Sequence, residues 1–113
     1  MSKPYTEILN ITDPNRWNCV KLARARVARL PFGLWTIADK KKIINDHTPD
    51  KGSVAIMNVG LPWGHVGVIT HVGKNHLTIK EANYKYGKVT ERHGRPVDLK
   101  IIGYFNPDKQ TAS

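Results

Sequence analysis

The fold of this chain is decided by residues 65–83, HVGVITHVGKNHLTIKEAN. Two runs with the composition of β-strands lie in this stretch, and the turn-forming residues 73–75 join them. The two runs are predicted to pair as an antiparallel hairpin, in which the start of the first strand lies opposite the end of the second. His65 is therefore predicted to lie near Glu81 or Asn83.

Glu81 has an unusual position in the second of these strands. Side chains alternate between the two faces of a strand, so Glu81 shares a face with Leu77 and Ile79. A carboxylate on an apolar face is costly unless a partner shares its charge or its proton. His65 is the predicted partner. The alternative is that His65 lies in a loop and Glu81 is a surface residue at the strand end.

The residues before this hairpin have helical rather than strand periodicity. Apolar residues at helical spacing predict a first helix over 18–30. A capping box at Thr36 and Asp39 predicts a second helix over 36–45. Residues 1–12 are predicted to form an irregular arm.

Further strand-forming runs flank the hairpin. Besides the runs at 65–72 and 76–83, strands are predicted over 53–57, 87–92 and 101–106. Helices followed by a meander of strands favour an α+β domain in which N-terminal helices pack on an antiparallel β-sheet. The length of 113 residues is that of one domain, so residues 1–113 are predicted to form a single domain.

The charge of the chain indicates the kind of partner that it favours. Eighteen Lys and Arg residues against nine Asp and Glu residues give a formal net charge of +9. Such a field attracts polyanions, which include nucleic acid, an anionic membrane surface and an acidic bacterial envelope. One hypothesis is therefore a small basic nucleic-acid-binding protein that uses Arg24, Arg26 and Arg29 on the first helix.

Cys19 is the only cysteine, so an intrachain disulfide is impossible. It lies in the first turn of the first predicted helix, where the helix dipole and the free backbone N–H groups stabilise a thiolate. A cysteine close to an imidazole that a carboxylate or amide orients is the arrangement of a cysteine hydrolase. The alternative is that Cys19 is a small buried apolar side chain.

Five segments in order resemble those of CHAP domains, the cysteine, histidine-dependent amidohydrolases/peptidases. The segments are NCVKLAR at 18–24, KGSVAI at 51–56, GHVGVI at 64–69, KEANY at 80–84 and GYFNP at 103–107. The resemblance covers about 15–107, and this family is related to the NlpC-type papain-like cell-wall hydrolases. It implies a papain-like fold and a peptidoglycan hydrolase that is either an amidase or an endopeptidase. A papain-like peptidase that acts on protein is an alternative with the same fold.

The resemblance also implies a role for each matching residue. Cys19 would be the nucleophile, and His65 the general base and then the general acid. Glu81 would orient the imidazole, and Asn83 would support that arrangement or replace it. Asn18 departs from the glutamine that often precedes the family's cysteine. Its amide is either a donor to the oxyanion or, more ordinarily, the cap of the helix.

Three aromatic residues are candidates for the substrate groove, namely Trp17, Trp63 and Tyr84. Ordinary core or loop packing is the alternative for each of them. No metal site is predicted, because His71, His76 and His93 lack the spacing of zinc ligands, and Asp13 and Asn15 are too few oxygen donors for calcium. No cofactor is expected.

The partner that the resemblance implies is bacterial peptidoglycan, and the net charge adds anionic cell-wall polymers. No specific nucleic acid is expected as a partner, and the chain is predicted to be a monomer. No apolar run approaches the ~20 residues that cross a bilayer, and the first residues have no apolar signal-peptide core. We therefore expect synthesis in the cytoplasm and action at the cell wall after delivery by a holin, a virion or a secretion system.

Overall fold

The computed structural model describes residues 5–10, 18–84 and 87–109. These residues form, in chain order, β1 Thr6–Asn10, α1 Cys19–Arg26, α2 Ile37–Lys42, β2 Val54–Met57, β3 His65–Val72, β4 Leu77–Ala82, β5 Lys88–Gly94 and β6 Ile101–Phe105. The predicted α+β class is confirmed. In the described ranges, neither helix is long and apolar enough to cross a membrane.

The strands form one sheet with the order β1-β5-β4-β3-β2-β6, and every neighbouring pair is antiparallel. The predicted hairpin is present, because β3 pairs with β4 and places Val68 opposite Lys80 and Ile69 opposite Ile79. This register brings the start of β3 to the end of β4. The sheet thus places the two strand ends that carry the candidate site next to each other.

Helix α1 begins where the sequence predicts but ends earlier. Asn18 is its N-cap, and the Asn18 Oδ1 accepts a hydrogen bond of 3.0 Å from the Lys21 backbone N–H. The predicted helix over 18–30 is too long, because the backbone at Val27 has left the helical conformation. The Arg24 side chain instead donates to two backbone carbonyls beyond the helix, which holds the chain in its turn.

Helix α2 has the predicted capping box. Thr36 Oγ1 accepts the Asp39 N–H at 3.2 Å, and the Asp39 carboxylate accepts the Thr36 N–H at 3.0 Å. The helix ends at Lys42, within the predicted range of 36–45. Lys40, the first of three consecutive lysines, is buried.

The irregular arm predicted over 1–12 is wrong in its described part. Thr6–Asn10 is the edge strand β1, which pairs with β5 and places Glu7 opposite Thr90. The short strand lacks an alternating pattern of its own. Its hydrogen bonds are supplied by the open edge of β5, a partner far along the chain, so local periodicity could not reveal it.

Both faces of the sheet are covered by apolar side chains. One cluster joins the helical part to the sheet and contains Ala23, Val27, Leu30, Leu34, Ile43, Val54, Ile56, Val66, Val68 and Phe105. A second cluster contains Ala55, Met57, Ile69, Leu77, Ile79, Leu99 and Tyr104. Because neighbours on β2 alternate between the two clusters, the clusters lie on opposite faces. The N-terminal helices therefore pack on the antiparallel sheet, as predicted.

Candidate active site

Cys19 is the first residue of α1, directly after the cap residue Asn18. Its half-buried thiol hydrogen-bonds to the His65 side chain and to the backbone N–H of Val66. Burial alone would raise the pKa of this thiol. The hydrogen bond and the charge of His65, with smaller contributions from Val66 and Lys40, outweigh burial and lower the pKa.

His65 is the first residue of β3 and is 8% exposed. Its Nε2 lies 2.8 Å from Glu81 Oε1, which leaves Nδ1 for the Cys19 thiol. Burial alone would lower the pKa of the imidazole, but the hydrogen bonds and charges of Cys19 and Glu81 raise it to about 9. Gly64 before it has φ +76°, and a Cβ there would lie 2.7 Å from Ile37 Cδ1. Glycine thus lets the loop reach α2 immediately before the imidazole.

Glu81 is fully buried on β4 and has two partners rather than one. Besides His65, its carboxylate accepts two hydrogen bonds from Arg92 on β5, Nε to Oε2 at 2.6 Å and Nη2 to Oε1 at 2.8 Å. Burial alone would raise the pKa of the carboxyl, but Arg92 and His65 outweigh burial and lower it. The carboxylate is therefore held ionised between an imidazole and a guanidinium.

Arg92 was not among the residues predicted from the sequence. Two features of the sequence point toward such a residue. A carboxylate on an apolar strand face can take more than one partner, and the next strand contains basic residues. Identifying which residue requires the register, in which Glu81 lies opposite Thr90, two residues from Arg92. The guanidinium also reaches Met57 Sδ, with Nη2 at 3.5 Å. One side chain from each of the strands β2 to β5 thus belongs to a row of contacts, which runs from Met57 through Arg92 and Glu81 to His65.

Tyr84, which was predicted as a groove residue, packs at the end of this row. The Cζ atom of Arg92 lies 3.7 Å from the centroid of the Tyr84 ring, and Tyr5 packs edge-on against the same ring. Tyr84 is therefore a cation–π partner of the guanidinium that holds Glu81.

Asn83 lies at the end of β4 in left-handed conformation, with φ +62°. Its Oδ1 accepts the Gly87 backbone N–H at 3.0 Å, in the connection to β5. The carboxylate that contacts His65 is that of Glu81, two residues earlier. The structure therefore places the Asn83 side chain in a turn, whereas Asn18, the other amide, caps α1 beside the thiol.

A groove of about 530 Å³ opens beside the thiol. It is lined by Asn18, Cys19, Val20, Lys21, Arg24, Phe32, Gly33, Leu34, Trp35, Lys40, Trp63 and Gly64. Phe32, Trp35 and Trp63 are 82%, 74% and 60% exposed, which is unusual for large apolar side chains. Trp63 was predicted at the groove, whereas Phe32 and Trp35 were not. Trp17 lies outside the described residues.

In the described part of the chain, no three His, Cys, Asp or Glu side chains are grouped as metal ligands would be. The chemistry that these residues offer is that of a thiolate beside an imidazolium. A thiolate is a strong nucleophile, an imidazolium can protonate a leaving group, and a buried carboxylate keeps the ring oriented. Such an arrangement defines the class of cysteine-nucleophile hydrolases.

Comparison with known protein families agrees with that class. The model of the CHAP domain family matches residues 10–83, more than half of the 113 residues, and the chain therefore belongs to this family. Membership implies a peptidoglycan hydrolase of the amidase or endopeptidase kind. Comparisons with curated proteins and with solved structures found no match. Cys19, His65 and Glu81 lie inside the matched range, and Arg92 lies beyond it.

Proposed function

We propose that this chain hydrolyses amide bonds of bacterial peptidoglycan, with Cys19 as the nucleophile. The observation that carries the proposal is the position of His65, whose ring lies between the Cys19 thiol and the buried carboxylate of Glu81. The imidazolium and the carboxylate are both costly to bury, so their burial together indicates a function that needs them. An exposed aromatic groove beside the thiol supplies room for a polymeric substrate.

The reaction begins with attack of the Cys19 thiolate on the amide carbonyl carbon. The resulting oxyanion lies near the N-terminus of α1, where the backbone N–H of Cys19 can donate to it, and the side-chain amide of Asn18 is the second donor that we propose. His65 then protonates the leaving amine, and a thioester remains on Cys19. Next, His65 takes a proton from water, the hydroxide attacks the thioester, and the carboxylic acid and the thiolate are released.

Glu81 and Arg92 support the ring rather than react. The carboxylate fixes the His65 ring through Nε2 and stabilises its protonated form. Arg92 holds both carboxylate oxygens and so keeps Glu81 from rotating away. We propose that the arrangement is papain-like, with the nucleophile at the start of a helix and the histidine on the sheet, in a single monomeric catalytic domain.

The net charge of +9 suits a substrate that is embedded in anionic cell-wall polymers. We propose that the enzyme acts at the bacterial cell wall, as a phage lysin or a secreted effector that is delivered there. Two of the three arginines behind the nucleic-acid hypothesis are otherwise engaged. Arg24 donates to the carbonyls of Leu30 and Pro31, and Arg29 donates to the carbonyl of Pro107.

A paired assay tests the proposal. Purified peptidoglycan is incubated with the parent protein and with Cys19→Ala, and release of soluble fragments is followed while circular dichroism verifies the fold. We expect release by the parent and none above background by the variant. Fluorescence anisotropy with duplex DNA is measured in parallel. Tight DNA binding without fragment release by the parent would replace the hydrolase with the nucleic-acid-binding alternative.

A further inference from the structure

Lys40 is a buried lysine, with only 2% of the residue exposed. Its Nζ donates to three backbone carbonyls, those of Leu34 at 3.1 Å, Trp35 at 3.4 Å and Trp63 at 2.8 Å. In the described residues, no carboxylate lies within ion-pair distance of this group. Lysine is almost never fully buried unless it is paired, so this cation requires an explanation.

The three carbonyls belong to two separate segments of chain. Leu34 and Trp35 precede α2, whereas Trp63 lies in the loop before β3. The ammonium therefore joins the two segments that carry the exposed tryptophans of the groove. A further bond, from the Ile37 N–H to the Pro62 carbonyl at 2.9 Å, connects the same segments. These hydrogen bonds therefore hold the backbone segments that carry the two tryptophan rings.

An ammonium has three N–H donors, and all three are already used. Lys40 is therefore unsuited to bind a substrate carboxylate directly. Its charge still acts at a distance, and the Cys19 thiol lines the same groove. Burial lowers the pKa of Lys40, while the charges of Cys19 and Asp39 act to raise it.

The charges around the thiol come from four elements. His65 faces it from β3 with Glu81 behind the ring on β4, and Lys40 faces it from α2. Asp39 lies beside Lys40 on α2. On the thiol's own helix, the exposed Lys21 and the half-buried Arg24 also line the groove. Among these charged groups, the buried cations are Lys40 and the His65 imidazolium.

We propose that Lys40 is a positioning residue with two effects. This proposal rests on the proposed role of Cys19 as the nucleophile. Its ammonium fixes the two tryptophan-bearing walls of the groove, and its charge favours the thiolate form of Cys19. Loss of the charge alone would lower the fraction of thiolate at neutral pH. Loss of the hydrogen bonds would loosen the walls and weaken substrate binding.

Alkylation by iodoacetamide measures the first effect without any peptidoglycan, because Cys19 is the only cysteine of the chain. The rate is recorded across pH for the parent, for Lys40→Met and for the matched control Lys41→Met, an exposed lysine on the same helix. We expect the midpoint of the profile to rise in Lys40→Met and to stay unchanged in the control. An unchanged midpoint in Lys40→Met would overturn the electrostatic effect.

Steady-state kinetics on soluble peptidoglycan fragments measure the second effect. We expect Lys40→Met to raise KM several-fold, beyond any loss of kcat that the lower thiolate fraction causes. Lys40→Arg keeps the charge, so its alkylation midpoint should remain that of the parent. If Lys40→Met and Lys41→Met had the same KM, the role of Lys40 in the groove walls would be overturned.

A reciprocal measurement keeps the proposal testable if the Lys40 variants do not fold. The pKa of Lys40 is followed by carbon NMR at its Cε in the parent and in Cys19→Ser, which removes the thiolate and little volume. Because coupling between two titrating groups is mutual, we expect the pKa of Lys40 to fall in Cys19→Ser. An identical pKa in both proteins would overturn the electrostatic coupling. Neither this result nor alkylation depends on wall cleavage, so each is separable from failure of the proposed function.

Discussion

Replacing Arg92 with methionine should destabilise the protein more than any exposed charge change does. The substitution keeps an apolar stem beside Met57 but removes both hydrogen bonds to the Glu81 carboxylate, at 2.6 and 2.8 Å. Glu81 is fully buried, and the Arg92 side chain is only 11% exposed. The carboxylate would then remain buried with His65 as its one described partner.

The expected magnitude follows from this burial. Removing one partner of a buried ion pair costs about 3–5 kcal/mol, because the other charge is left uncompensated. A domain has about 5–15 kcal/mol of stability in total. At roughly 4 °C for each kcal/mol in a domain of this size, Arg92→Met should lower Tm by about 12–20 °C.

Thermal and urea unfolding, followed by circular dichroism, measure the effect. Arg95→Met is the matched control, because Arg95 pairs with Asp98 at 2.8 Å on the surface, where both side chains are more than half exposed. The control should melt close to the parent, since exposed ion pairs contribute little.

A second substitution separates the ion pair from simple loss of packing. Glu81→Gln alone leaves the Arg92 guanidinium without its anion, whereas Glu81→Gln with Arg92→Met leaves no charge unpaired. The double variant should therefore be more stable than the sum of the two single losses predicts, by about 1–3 kcal/mol. Additive losses, or an Arg92→Met protein that melts with the Arg95→Met control, would refute the account of this pair.

Three further predictions concern the nucleophile, its helix and the groove. The rate of hydrolysis should fall at high pH, because the His65 imidazolium, with its pKa of about 9, loses its proton. It should also fall at low pH, because the Cys19 thiolate is protonated below its lowered pKa. A pH–rate profile without the fall at high pH would contradict the ion pair between Cys19 and His65. Asn18→Ala should cost about 1 kcal/mol of stability through the lost cap, and Asn18→Asp should restore the stability but not the rate if the amide donates to the oxyanion. Trp63→Ala should raise KM several-fold with little change in Tm, because the ring is 60% exposed; an unchanged KM would exclude the ring from substrate binding.

Local patterns predicted the elements that local interactions build. The β3–β4 hairpin follows from two alternating runs around a short turn, and the start of α2 follows from the reciprocal cap of Thr36 and Asp39. The position of Glu81 on an apolar face and the register of the hairpin together predicted its contact with His65. Each of these predictions needed only neighbours in sequence or one turn between two strands.

Contacts between distant segments could not be predicted in the same way. Strand β1 depends on the open edge of β5, and Arg92 is identified only by the register between β4 and β5. Lys40 belongs to a run of three lysines whose letters do not distinguish the buried one from the two exposed ones. Trp35 lines the groove together with Trp63, a residue from a distant segment of the chain, so its place there could not be predicted from neighbouring residues.

Cleavage of peptidoglycan amide bonds by Cys19 is the activity that we propose for this protein. Mass spectrometry of the fragments released from purified peptidoglycan tests it most directly, because it identifies the bond and demonstrates the activity together. We expect fragments with a new amine and a new carboxylic acid at one kind of amide bond from the parent protein, and none from a folded Cys19→Ala variant. The same fragments from Cys19→Ala at the parent's rate would contradict the proposal.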